Sequence, residues 1–165
     1  MKFKFVPLQE CDIPLLHEWM NRKHVSERWD GLQSLDEVGG RYGLLINSNV
    51  VFPHLVYLNE TPFGYIQSYI ANVPGDIWWT DQPEGTWGVD QFIADENFLG
   101  MGLGSEFVKE FTDQLLKRSD VKKIITDPNP ENAFAIKAYE KAGFVQRQVV
   151  QTPDGPAMLM EKFRN

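Results

Sequence analysis

Between Trp87 and Ala94, apolar and aromatic residues crowd around a single carboxylate, Asp90. The β-branched and aromatic content makes this stretch a strand. Leu103, Phe107, Phe111 and Leu115 follow at intervals of four and predict an amphipathic helix from Gly102 to about Lys117. Lys2 to Pro7 alternates charge and aromatic and reads as a first strand. Ile13, Leu16 and Met20 give an apolar stripe to a helix that Asp12 caps and Pro14 enters in its first turn. Residues 22–33 are polar and irregular, with an exposed Trp29 inside them that serves as a core plug or as part of a binding wall. Leu35 to Ile46 predicts a second helix, weakened by Gly39-Gly40.

Leu55–Leu58 and Phe63–Ile70 are strands about the turn Asn59-Glu60-Thr61-Pro62. Residues 72–85 are aromatic and acidic together and suit a lid or wall. Lys122–Thr126 is a short strand. Asn129 caps a further helix, with Pro130 at its first position and Gly143 at its end. Ala135, Ala138, Tyr139 and Ala142 share one face of it, open to close approach by a ligand or to tight packing on a sheet. Phe144–Val150 and Ala157–Phe163 close the chain as paired strands through the turn Thr152–Pro156. The order predicts one α+β domain over residues 1–165, with a mixed, mainly antiparallel central sheet flanked by helices.

Composition narrows the partners. Apolar residues make up 42% of the 165, enough for a real core in one domain. A formal charge of −7 disfavours nucleic acid and suits a cationic partner, as it also suits any soluble acidic protein. No apolar run is long enough to cross a membrane, and Met1-Lys2-Phe3-Lys4 lacks the apolar core of a signal peptide. One cysteine, Cys11, fits a reducing compartment and reads as a buried packing residue. The expectation is a cytoplasmic protein with neither nucleic acid nor membrane as partner.

Gly100, Gly102 and Gly104 stand between the strand ending at Ala94 and the helix after them. Strand, glycine turn and helix start can grip phosphate, because glycine lets backbone approach an anion and the helix's first N–H groups point outward. The same glycines also serve a tight turn with no ligand. No Lys-Ser or Lys-Thr follows, so this is not a Walker loop. Asp90 interrupts an apolar run, where a cationic ligand would compensate it; alternation alone would turn it to solvent. His17, His24 and His54 have no metal-ligand spacing, and no metal is expected.

A second stretch, Ile124 to Phe144, contains Asn132-x-x-Ala135-x-x-x-Tyr139-Glu140-Lys141-x-Gly143-Phe144. Together with the glycine loop it resembles the GCN5-related N-acetyltransferases. More narrowly, Glu18-Trp19-Met20-Asn21-Arg22, Gly64-Tyr65-Ile66-Gln67-Ser68-Tyr69, Asp90-Gln91-Phe92, Thr126-Asp127-Pro128-Asn129-Pro130-Glu131-Asn132 and Thr152-Pro153-Asp154-Gly155-Pro156-Ala157 are similar to aminoglycoside 6′-N-acetyltransferases. The resemblance implies a sheet splayed to admit acetyl-CoA, and direct attack of an amine on the thioester. It implies that Gly100, Met101, Gly102, Leu103, Gly104 and Ser105 hold the pyrophosphate and that the backbone of Phe92 and Ile93 meets the pantetheine. Asn132 and Lys137 would bind pantetheine or a CoA phosphate. Tyr139 would protonate the leaving sulfur and Asp90 would take the amine's proton. Trp29, Gln91, Asp127 and Asp154 would contact the cationic aminoglycoside, Gln91 only if a β-bulge turns it inward.

Two features depart from those families. Leu99 stands where most members carry Gln or Arg, and no acidic residue lies near Asn47-Ser48-Asn49. The alternatives are the same fold acting on another polyamine or a peptide amine, and a non-catalytic protein that binds CoA or drug. The chain would act as a monomer or a homodimer.

Overall fold

The computed structural model describes residues 2–75 and 78–165; residues 76 and 77, inside the expected lid loop, and residue 1 lie outside the described residues. Its strands are β1 (Phe3–Pro7), β2 (Val51–Leu58), β3 (Thr61–Ile70), β4 (Thr86–Ile93), β5 (Lys123–Thr126), β6 (Val145–Thr152) and β7 (Gly155–Phe163). Its helices are α1 (Ile13–Met20), α2 (Lys23–Ser26), α3 (Leu35–Ile46), α4 (Leu103–Leu115) and α5 (Ala133–Lys141). The strands hydrogen-bond in the order β1-β2-β3-β4-β5-β7-β6. β4 and β5 run parallel, while β1–β2, β5–β7 and β6–β7 are antiparallel, which gives the expected mixed sheet.

The chain divides into two compact units, residues 1–67 with 91–101 and residues 68–90 with 102–165. The first unit buries Leu16, Trp19, Met20, Val38, Tyr42, Tyr65 and Phe92 in one cluster. α3 starts at Ser34, whose hydroxyl accepts the Glu37 N–H while the Glu37 carboxylate accepts the Ser34 N–H; this reciprocal cap explains its sharp boundary. The second unit buries the predicted α4 stripe, Leu103, Phe107, Phe111 and Leu115. Lys162 of β7 is buried against the same helix, its Nζ donating to Thr112 Oγ1 at 2.7 Å and pairing with Asp113 Oδ1 at 2.7 Å. A buried ammonium needs such partners, because desolvation would otherwise cost several kcal/mol.

Several expectations change. Asp12 does not cap α1; its Oδ2 turns back to accept the Gln9 N–H at 2.9 Å in a short 3-10 turn. The polar stretch 22–33 contains the short helix α2. β2 begins at Val51, ahead of the expected Leu55; it takes in Pro53, which lacks a donor but whose carbonyl accepts Leu8 N–H at 3.0 Å. Asn129 caps no helix: its side chain accepts Glu131 N–H in a local turn, and Asn132 caps α5 by accepting Ala135 N–H at 3.2 Å. Cys11 is exposed, where packing in the core was expected.

Candidate active site

Alternation along β4 breaks at Asp90 and Gln91. Both are half-buried, while Val89 before them and Phe92 after them are buried. On the β5 side, the parallel ladder ends at Gly88 and Ile125, after three residue pairs. Thr126 then reaches only with its hydroxyl, donating to the Val89 carbonyl at 3.3 Å. On the β3 side, Ala71 N–H bonds Thr86 and Ala94 N–H bonds Phe63.

Three carboxylates of the second unit interact around the ends of its strands. Asp127 follows β5, Asp90 lies on β4, and Asp154 is exposed in the tight β6–β7 turn. Burial, then the charges of Asp90 and of Asp154, push the Asp127 carboxyl up to about 8. A folded carboxyl raised in this way binds a proton that the unfolded chain has already released. Its stabilising effect is full below about pH 4 and is lost as pH rises through about 8. Asp127→Asn should therefore raise the melting temperature of the free protein by a few degrees at pH 9 and by little at pH 4. Calorimetric melts at both values check this, and an equal change at both would show that the carboxyl is not the cause.

Tyr69 of β3 belongs to the same cluster and was not anticipated from the sequence. Its ring lies across Gly88: a Cβ there would meet the Tyr69 Cζ at 2.0 Å, so the backbone of β4 must be bare at this position. The Trp79 indole N–H donates to the phenol. Burial, then the charges of Asp90, Asp127 and finally Tyr139, outweigh that bond and hold the phenol well above its ordinary range. Trp79 itself is buried with Ala71, Ile125 and Leu159, which anchors the loop before β4. The signal for Tyr69 was its position opposite a glycine, legible only once β3 and β4 are paired in register.

Tyr139 is buried on α5. The helix ends in a Schellman motif, with Gly143 at φ +103°, Gly143 N–H bonding Glu140 and Phe144 N–H bonding Tyr139. The rings of Tyr139 and Phe144 pack edge to face at 5.5 Å, which holds the phenol in place. Asn132 spends its side-chain oxygen on the α5 cap, and Lys137 is exposed on the same helix.

At the glycine loop, Gly100 and Gly102 have φ of +75° and +78°, and a Cβ at either would meet nothing within 4 Å. Glycine is needed there for backbone angle, and open space lies beside it. α4 starts at Gly102 without a side-chain cap, unlike α3 and α5. Its first N–H groups are thus available to an anion. Met101 is exposed, Leu103 is a core residue, and the Ser105 hydroxyl donates to the Gly102 carbonyl at 2.9 Å, so the offer comes from backbone. That geometry fits a pyrophosphate. Phe92 and Ile93 are buried in the first unit, and the Ile93 carbonyl already bonds the His24 ring at 2.9 Å. Trp29, expected to be exposed, is half-buried; its indole donates to the Tyr42 hydroxyl at 2.9 Å and it stands edge-on to Tyr65 and Phe92. Its ring packs against the core of the first unit and keeps part of its surface exposed. Among the described residues, no group of His, Cys, Asp or Glu is placed to hold a metal ion.

Residues 9–152 match the family model of the acetyltransferase (GNAT) domain. The aminoglycoside N(6′)-acetyltransferase type 1 of Klebsiella pneumoniae is 41% identical over 162 residues, 95% of this chain and 81% of that protein. The solved structure of aminoglycoside acetyltransferase AAC(6′)-Ib in complex with coenzyme A and kanamycin superposes with a TM-score of 0.93 at 40% identity, covering 98% of this chain and 95% of that one. The AAC(6′)-Ib complex with paromomycin and acetyl-CoA gives 0.94 at 39% identity, covering 99% and 94%. The chain belongs to the GNAT acetyltransferase family.

Proposed function

We propose that this acetyltransferase moves an acetyl group from acetyl-CoA to the 6′-amine of aminoglycoside antibiotics, the chemistry of drug resistance. The observation that carries this reading is the cluster of Asp90, Asp127 and Asp154, in which burial, then the charges of its two neighbours, push the Asp127 carboxyl up to about 8. A polycationic sugar supplies several ammonium groups and would favour the charged form of the Asp127 carboxyl. The relatives named above act on such drugs, and two of their structures are complexes with them.

Bound acetyl-CoA supplies the acyl group as a thioester. The chain's own residues do the rest. The bare backbone of Gly100–Ser105 and the start of α4 hold the pyrophosphate, with Phe92, Ile93, Asn132 and Lys137 along the pantetheine arm. Asp127 and Asp154 hold ammonium groups, with Trp29 and Gln91 as further drug contacts. Asp90 binds the reacting ammonium and takes its proton, leaving the neutral amine to attack. Tyr139 keeps a proton on its phenol oxygen for the departing sulfur. Holding two substrates in one geometry supplies much of the rate. The reaction takes place in the cytoplasm, in a monomer or homodimer, without nucleic acid or membrane as partner.

Release of free thiol from acetyl-CoA in the presence of kanamycin, spermidine or a peptide amine tests the reading. Turnover with kanamycin is expected; turnover with spermidine or the peptide alone would overturn it. Tyr139→Phe keeps the edge-to-face packing on Phe144 and should lower kcat by about 10²-fold, in the range of proton-transfer catalysis. An unchanged kcat, with chemistry shown to limit turnover, would return Tyr139 to a packing role.

A further inference from the structure

The start of the short helix α2 reaches across the first unit to the end of β4. Val25 is buried in the core cluster that also holds Phe92 and Ala94, so it sets α2 beside that strand. Arg22 and His24, on either side of it in sequence, both reach carbonyls there. The His24 Nε2 bonds the Ile93 carbonyl at 2.9 Å, and Arg22 Nη1 donates to the Ala94 carbonyl at 2.8 Å. A carbonyl only accepts, so His24 carries its proton on Nε2. Arg22 is steadied by a second bond, from its Nη2 to Glu18 Oε1 at 2.9 Å. These residues all belong to one compact unit.

Peptide geometry shows why the strand end takes donors from outside the sheet. In a trans peptide the N–H and the carbonyl point in opposite directions. Ala94 N–H bonds the Phe63 carbonyl of β3 at 2.9 Å, so the Ile93 carbonyl of the same peptide points away from β3. The Phe92 carbonyl lies against β3, 2.6 Å from where a Cβ on Gly64 would stand, so Ile93 N–H also points away. On that side the ladder with β5 has already ended at Gly88. Ile93 thus turns a donor and an acceptor to a place where a strand is missing. An extended chain that carries amides fits there as a neighbouring strand would.

We propose that His24 and Arg22 are positioning residues for the cofactor. By holding the carbonyls of Ile93 and Ala94, they fix the end of β4 in the conformation that bonds a pantetheine amide. The proposal rests on the placement of pantetheine along Phe92 and Ile93, and names the side chains that make that strand end ready. His24 takes one lone pair of the Ile93 carbonyl and leaves the other, with the Ile93 N–H, to the cofactor. A strand end held in advance has less to order when the cofactor arrives. Neither side chain touches the reacting atoms.

Coenzyme A and its nucleotide half without pantetheine, adenosine 5′-diphosphate 3′-phosphate, separate the outcomes. In calorimetric titration the wild type should bind coenzyme A clearly more tightly. His24→Phe keeps a ring and removes the donor. It should weaken coenzyme A by about 10-fold, the size of one hydrogen bond, and leave the nucleotide half unchanged. In turnover the loss should fall on KM for acetyl-CoA, with kcat and KM for kanamycin within about 2-fold. His24→Gln sets an amide N–H near the place of Nε2 and should bind coenzyme A within about 2-fold of the wild type. Arg22→Met keeps the apolar stem and should weaken coenzyme A alone by about 3-fold; it carries the comparison if His24→Phe does not fold. Equal weakening of both ligands would show that α2 only supports the fold. Unchanged affinity in both His24→Phe and Arg22→Met would show that the strand end is ready without them. A loss with glutamine as large as with phenylalanine would show that the donor is not what matters. Each of these overturns the proposal while leaving the pantetheine in place. If the wild type binds the nucleotide half as tightly as coenzyme A, the pantetheine placement itself fails and the proposal falls with it.

Discussion

Asp90→Asn should lower kcat with kanamycin by about 10³-fold, within the span of general base catalysis, in a protein that folds as before. The amide keeps the shape and one acceptor but loses the charge that gathers the ammonium and the basicity that removes its proton. Asp90 sits where the β4–β5 ladder has ended, one residue beyond Val89, whose carbonyl accepts the Thr126 hydroxyl. Asp127 and Asp154 lie at strand ends and turns instead. Their asparagine variants should chiefly raise KM, because they remove attraction common to the bound drug and the transition state. Steady-state kinetics on the three variants decides the matter. If Asp90→Asn changes KM alone, solvent takes the proton and Asp90 is an anchor like the other two.

Gly102→Asp should weaken acetyl-CoA binding by more than about 10²-fold in a protein that still folds, its melting temperature lowered only by the strain of a side chain at positive φ. The two readouts separate because of where Gly102 stands. Its φ of +78° is one that Asp tolerates better than most residues, and a Cβ there meets nothing within 4 Å. The new carboxylate sets bulk and a negative charge at the start of α4, where the phosphates would sit. Calorimetry that finds unchanged acetyl-CoA binding in the folded variant would remove the phosphate role from this loop.

Elements with strong local codes were legible in the chain. α3 was bounded correctly because Ser34 and Glu37 cap it with their own side chains. The α4 stripe was read from spacing alone, and all four of its predicted residues are buried. Errors came where two local codes compete. Asn129 and Asn132 both offer a cap, and only the turn before α5 shows which one is used. Trp29 looked exposed because its sequence neighbours are polar, but its partners Tyr42, Tyr65 and Phe92 come from distant elements. The acidic positions of the candidate site were named from motifs. Tyr69 and Trp79 were not, since what marks them is a strand pairing and a buried indole.

The ring of Tyr69 lying across Gly88 makes the two positions a single evolutionary unit. Alanine at 88 would occupy the place of the ring, and a small residue at 69 would strand the Trp79 indole and open a void beside two carboxylates. Each step alone is a loss, so a lineage reaches a different floor for this site only by changing both at once. Single substitutions then fall more readily on residues that lean on neither, such as the exposed Asp154 of the β6–β7 turn, whose charge reaches Asp127 without touching that pair.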